Sequence, residues 1–332
     1  EEFYNTSFIK ENGLLTHHAA LQGIHNPTNQ NYLTTAIYRL KFDEHFFLQL
    51  LMALKKQHIK ERIGIAYSEK GPYVKDIYNN LNFRLTDAQI RVLKEIRSDL
   101  SSNKPMNRLI QGDVGSGKTI VAMLAASIII GQGYQVAVMA PTEILTEQHF
   151  NSFKEYCKKV NISCSMLIGN QSKKIKEEIY NRLSNGEVQL IVGTHSLIQE
   201  NVKFKKLGMI VIDEQHRFGV EHRKKIIDKG VYPEVLAMTA TPIPRTLAFT
   251  IHGDMDISII DELPKNRLPI MTKVVNPERL DKVFKFMKQE MDLGRQCFIV
   301  FPLIEESEKI DLKAIKSGYD KLKNEIFKNY NL

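Results

Sequence analysis

"GDVGSGKT", residues 112–119, decides how this chain is read. It fits G-x-x-x-x-G-K-[ST] at every fixed position, the spacing of a phosphate-binding loop. Gly112, Gly115 and Gly117 let the backbone curl until its N–H groups point inward at an anion. Asp113, Val114 and Ser116 complete the turn. A helix beginning at Lys118 would present the positive end of its dipole to the same anion. Lys118 can then reach the β- and γ-phosphates, and the Thr119 hydroxyl can ligate Mg²⁺. The motif needs a strand before it and a helix after it. "RLIQ" (108–111) and "IVAMLAASIII" (120–130) supply both. The second run falls short of the ~17 residues a membrane span needs, so it is expected to be a buried helix, and no membrane partner is expected.

Outward from the loop, short apolar runs alternate with helical stretches. "QVAVMA" (135–140), "SCSMLI" (163–168), "VQLIVG" (188–193), "GMIVID" (208–213) and "EVLAMTA" (234–240) are continuous rather than alternating. Strands covered on both faces look like this. Interleaved with helices, they predict an α/β fold with a parallel sheet. In such a sheet all carboxyl ends of strands lie on one edge. Asp213 ends one of these runs, so it can share the Mg²⁺ with Thr119, and Glu214 can take a proton from an attacking water. Lys118, Asp213 and Glu214 are therefore the expected catalytic set for a Mg-ATPase. Gln215 and His216 follow directly. Plain hydrolysis does not need them, and they are expected to sense the nucleotide and relay its state.

Composition adds bounds. The chain has 332 residues, which suits two domains or one with extensions. Its net charge of +8 permits a polyanionic partner without demanding one. The three cysteines, Cys157, Cys164 and Cys297, show no paired spacing, which points to free thiols and a cytoplasmic setting. Upstream, Phe46, Phe47, Leu50, Leu51 and Leu54 recur at helical spacing and predict a helix packed on its own neighbour. Thr86 or Asp87 is placed to cap the helix before the loop. After "DELPKNRLP" (261–269), a helix over 277–293 and a strand over 296–303 are expected.

"DEQH" (213–216) is similar to the carboxylate motif of some superfamily-two helicases, and "TATPIPRT" (239–246) resembles their motif III. "APTEILTEQHF" (140–150) and "GTHSLIQ" (193–199) resemble motifs Ia and Ib. "RLTDAQ" (84–89) resembles the adenine-sensing glutamine motif, with Gln89 as the reader. "DEQHRFGVEHR", "TATPIPRTLAFTIHGDMDISIIDELPKNRLPI" and "FIVFPLIEESEKIDLKA" are similar to the RecG family of branched-DNA helicases, and "HHAALQGIHNP" to its segment between wedge and motor.

The resemblance implies a helical linker over 1–82, a RecA-like ATP-binding lobe over 83–268 and the start of a second, truncated lobe over 269–332. It implies ATP and Mg²⁺, and a monomeric enzyme acting on branched or double-stranded DNA such as stalled forks and Holliday junctions. The wedge and the rest of the second lobe would lie outside the sequence, leaving this piece weak in hydrolysis. Pro141, Thr142, Gly193, Thr194 and His195 would contact DNA phosphates. Thr239 and Thr241 would couple the carboxylates to DNA, with Arg245 on DNA or an acidic neighbour. Two alternatives stay open: an Mfd-like double-stranded DNA translocase, and a nucleotide-gated DNA-binding module without turnover.

Overall fold

The computed structural model describes residues 1–332 except 62, 70, 242–254, 265–269, 301–317, 321 and 332. Arg245 lies outside the described residues. Two compact units are present, Glu1–Arg267 and Leu268–Leu332.

The first unit opens with helices α1 (Thr6–Glu11), α2 (His17–His25), α3 (Gln30–Lys60) and α4 (Tyr73–Asn79). Then comes α5 (Asp87–Leu100), whose start is fixed by a reciprocal cap. The Thr86 side chain accepts from the Gln89 N–H, and the Gln89 side chain accepts from the Thr86 N–H. Next follow β1 (Asn107–Gly112), α6 (Lys118–Gly131), β2 (Gln135–Met139), α7 (Glu143–Lys159), β3 (Cys164–Leu167), α8 (Lys173–Ser184) and β4 (Leu190–Gly193). Last are β5 (Leu207–Asp213), α9 (Val220–Ile227), β6 (Glu234–Thr239) and β7 (Asp256–Ile260).

The strands form one sheet in the order β3-β4-β2-β5-β6-β1-β7, and each neighbouring pair is parallel. The continuous apolar runs divide by the two-residue period of a strand. Ile110, Val136, Val138, Met209, Val211, Leu236 and Met238 join the core that contains α6. Leu109, Ala137, Met139, Ile210, Ile212 and Ala237 join the opposite core. Helix α6 is buried from Ile120 to Ile130, so its apolar run serves this core. Among the described residues no helix is long and apolar enough to cross a membrane.

The first helices are tied by a buried cation. Arg39 is fully buried and bonds Asp43 at 2.8 Å and Glu2 at 2.7 Å, with its guanidinium 4.8 Å from the Tyr4 ring. The Arg39 guanidinium holds the Glu2 carboxyl down at about 2. The α3 stripe behaves only partly as expected. Phe46 packs against Tyr4, Phe8 and Phe42, but Leu50, Leu51 and Leu54 are exposed. The short α1 ends at Glu11 and reaches only the first part of the stripe.

The second unit contains α10 (Leu280–Asp292), close to the expected helix. Phe327 packs on Phe284 with ring centroids 5.7 Å apart. The strand expected over 296–303 does not form at 296–300, and 301–303 lie outside the described residues. A strand needs a paired neighbour, and the described residues of this unit supply none.

Candidate nucleotide site and nucleic-acid groove

Three adjacent strands bring the predicted chemistry to one edge. In register, Gln111 of β1 is level with Thr239 of β6, and Asp213 of β5 is level with Met238 of β6. The phosphate loop, the residues after Thr239 and the Asp213–Glu214 pair therefore leave the sheet side by side at its carboxyl edge.

The loop is bent as its glycines allow. Gly115 has φ +79° and Gly117 φ +86°, in the left-handed region. Space also demands glycine at 117, because a Cβ there would stand 2.3 Å from Gln89 Nε2. The first N–H groups of α6 have no side-chain cap and remain available to an anion. Ser116 Oγ is buried in the loop without a hydrogen-bond partner among the described residues. A buried hydroxyl of this kind fits a polar guest such as a phosphate oxygen.

Lys118 is half-buried rather than held out in solvent. Its ammonium donates to the carbonyls of Gly112 at 2.7 Å and Asp113 at 3.0 Å. Burial lowers its pKa, and the charges of Asp213, Glu214 and Asp113 oppose that shift. Those carboxylates thus lie within electrostatic reach of the loop cation.

Gln89 is also placed by the loop. Its amide donates to the Ser116 carbonyl at 2.8 Å while its oxygen completes the α5 cap, and the side chain is buried. In this arrangement it braces the phosphate loop.

Glu214 occupies the left-handed region at φ +49°, an uncommon conformation for a residue with a side chain. Its N–H donates to the Met238 carbonyl at 2.9 Å. Its carboxylate accepts from the Ala240 N–H at 3.1 Å and from Thr239 Oγ1 at 3.3 Å. Thr241 reaches this group through Thr239, whose Oγ1 accepts the Thr241 N–H at 3.1 Å. Gln215 is buried, whereas His216 is exposed with Nδ1 3.4 Å from Glu214. Asp213 bonds His149 Nε2 at 2.7 Å, a partner that sequence reasoning missed. The oxygen donors of Asp213 and Thr119 suit a hard cation such as Mg²⁺, which takes few protein ligands and fills its shell with phosphate and water.

The residues expected on DNA lie at the carboxyl ends of β2 and β4, which are neighbours. Thr142 is exposed and caps α7, its hydroxyl accepting from the Leu145 N–H. Thr194 is buried and bonds Ser196, while Gly193 packs against Leu197 and the Leu167 carbonyl. Pro141 and His195 line a groove of about 680 Å³ with Gln199, Arg217, His222 and Lys225. His222 and Lys225 lie on α9 and Arg217 in the turn before it, so this turn and helix supply the basic side of the groove.

Comparison with known proteins agrees with this arrangement. Residues 86–250 match the family model "DEAD/DEAH box helicase". The ATP-dependent DNA helicase RecG of Synechocystis sp. is 46% identical over 94% of this chain, and that of Bacillus subtilis 45% identical over 94%. A solved structure of RecG bound to a three-way DNA junction superposes with a TM-score of 0.84 at 40% identity over 98% of this chain. The chain belongs to the RecG family. It spans 38% of the Synechocystis RecG, 46% of the Bacillus RecG and 43% of the RecG chain in the junction complex. The helicase MrfA bound to DNA, at 17% identity and a TM-score of 0.51, shares the fold. The RecG relationship accounts for a seven-stranded parallel sheet with its motifs on one edge and helices before it.

Proposed function

We propose that this chain carries the ATP-binding lobe of an ATP-dependent DNA helicase that remodels branched DNA, such as stalled replication forks and Holliday junctions. On this reading 1–82 is a helical linker, 83–268 the RecA-like lobe and 269–332 the start of a second lobe, in a monomeric cytoplasmic enzyme. What supports it above all is the level alignment of β1, β6 and β5, which sets the loop, Thr239 and the carboxylates together. The name shared by the relatives, and the junction held by one of them, supply the substrate class.

The roles follow from position. The loop amides and the start of α6 hold the phosphates, with Lys118 shifting from the loop carbonyls to the phosphate oxygens. Asp213 and Thr119 hold Mg²⁺, which when bound neutralises charge on the phosphates. Glu214 orients the attacking water and takes its proton. Because both Glu214 oxygens are held from the end of β6, movement of 239–241 would displace the base. Gln215 and His216 lie within the same turn and belong to that relay. Exposed Thr142 and His195, with Pro141 beside them, face the DNA phosphates, while buried Gly193 and Thr194 hold the turn that presents His195. Gln89 serves the base end of the nucleotide while bracing the loop.

The test is ATP hydrolysis by the full-length protein with no DNA, linear duplex or a three-way junction. Stimulation greatest with the junction is expected. Hydrolysis indifferent to all three would remove the proposal.

A further inference from the structure

One interaction at the nucleotide edge is left unused by these roles. His149 Nε2 lies 2.7 Å from Asp213 Oδ2, and each side chain is only 12% exposed. An ionised carboxylate can only accept, so Nε2 carries the proton and donates it. The helix dictates this meeting. Thr146, Phe153 and Cys157 are the buried positions of α7, and His149 falls on the same stripe, four residues before Phe153. The His149 and Phe153 ring centroids are 6.3 Å apart, and Phe153 is fully buried. The imidazole is therefore held in place from behind and aimed at the end of β5.

We propose that His149 is a positioning residue for Asp213: by occupying Oδ2 it fixes the carboxylate plane and leaves Oδ1 to serve the divalent cation. The inference rests on the nucleotide-site reading above. Residues that orient a metal-ligating carboxylate typically govern metal affinity by about 10- to 100-fold. A histidine merely filling the core would govern stability instead.

The experiment measures binding of a fluorescent ADP to the full chain, in EDTA and across a Mg²⁺ titration, with melting recorded alongside. His149→Ala should raise the Mg²⁺ concentration at half-effect by about 10- to 100-fold and leave the affinity in EDTA unchanged. His149→Gln, which puts an amide N–H near the place of Nε2, should recover most of the response. His149→Asn, whose donor lies nearer Nδ1, should not. A wild-type Mg²⁺ response in His149→Ala overturns the proposal, as does equal loss with and without Mg²⁺. If the alanine variant does not fold, the Gln and Asn variants decide, and identical behaviour of those two overturns it. Failure of the wild type to bind ADP, or to respond to Mg²⁺, would overturn the nucleotide-site reading together with this one.

Discussion

Thr239 Oγ1 lies 3.3 Å from Glu214 Oε2, and the following N–H, of Ala240, donates to Glu214 Oε1 at 3.1 Å. Both oxygens of one carboxylate are thus held from the end of the strand that separates it from the phosphate loop. Removing the hydroxyl should free one side of this carboxylate, the proposed base, without touching the nucleotide. For Thr239→Val the loss is about 1 kcal/mol, or about fivefold in turnover. Steady-state kinetics should show a lower kcat with unchanged ATP affinity. A fall in affinity alone would mean that Thr239 serves binding.

Lys118→Ala should leave the fold intact and weaken nucleotide binding. Among the described residues the ammonium bonds only loop carbonyls, so melting should change little. Its charge-assisted contacts to phosphate are worth about 1.5–3 kcal/mol, or about 10- to 100-fold in affinity. Fluorescent ADP binding beside a melting curve separates the two effects. Unchanged affinity would refute the loop assignment.

Glu234 gives a pH prediction. It is buried at the start of β6 and accepts a hydrogen bond from the Met106 N–H. Burial pushes its carboxyl up to about 8, against that hydrogen bond and with a smaller push from Asp99. The folded pKa lies above the ordinary 4.5, so the stability it brings is fully present below pH 4.5 and lost as pH rises through 8. Glu234→Gln keeps an acceptor for Met106 and cannot ionise. The variant should melt higher than the wild type at pH 8, with the difference shrinking toward pH 5. A difference independent of pH would show that Glu234 is not protonated in the folded protein.

Much of this architecture was legible because it rests on local pattern. The runs that became β1 to β6 had to be continuous, since each face of the sheet meets its own core. The loop spacing fixed both a turn and a helix start. Thr86 capped α5 as its side chain allows. β7 escaped because "DISII" is short and polar at its start, and its place beside β1 depends on a distant pairing. The exposed end of α3 escaped because periodicity identifies an apolar face and says nothing of what covers it. His149 could have been noticed on the Thr146–Phe153 stripe. Its aim at Asp213, 64 residues away, comes only from the packing of α7 on the sheet. Gln89 stood out in the sequence as the expected adenine reader, whereas its bond to the Ser116 carbonyl was not legible, since that needs α5 and the loop in place.

The central claim is that this edge hydrolyses ATP with Glu214 as the base, in service of branched DNA. The most direct test compares wild type and Glu214→Gln in the full-length protein, following junction-stimulated ATP hydrolysis and ATP binding together. The account predicts retained binding and a rate lower by about 10²- to 10⁴-fold, the usual worth of a general base. A Glu214→Gln rate within about threefold of wild type, well below that range, would contradict it.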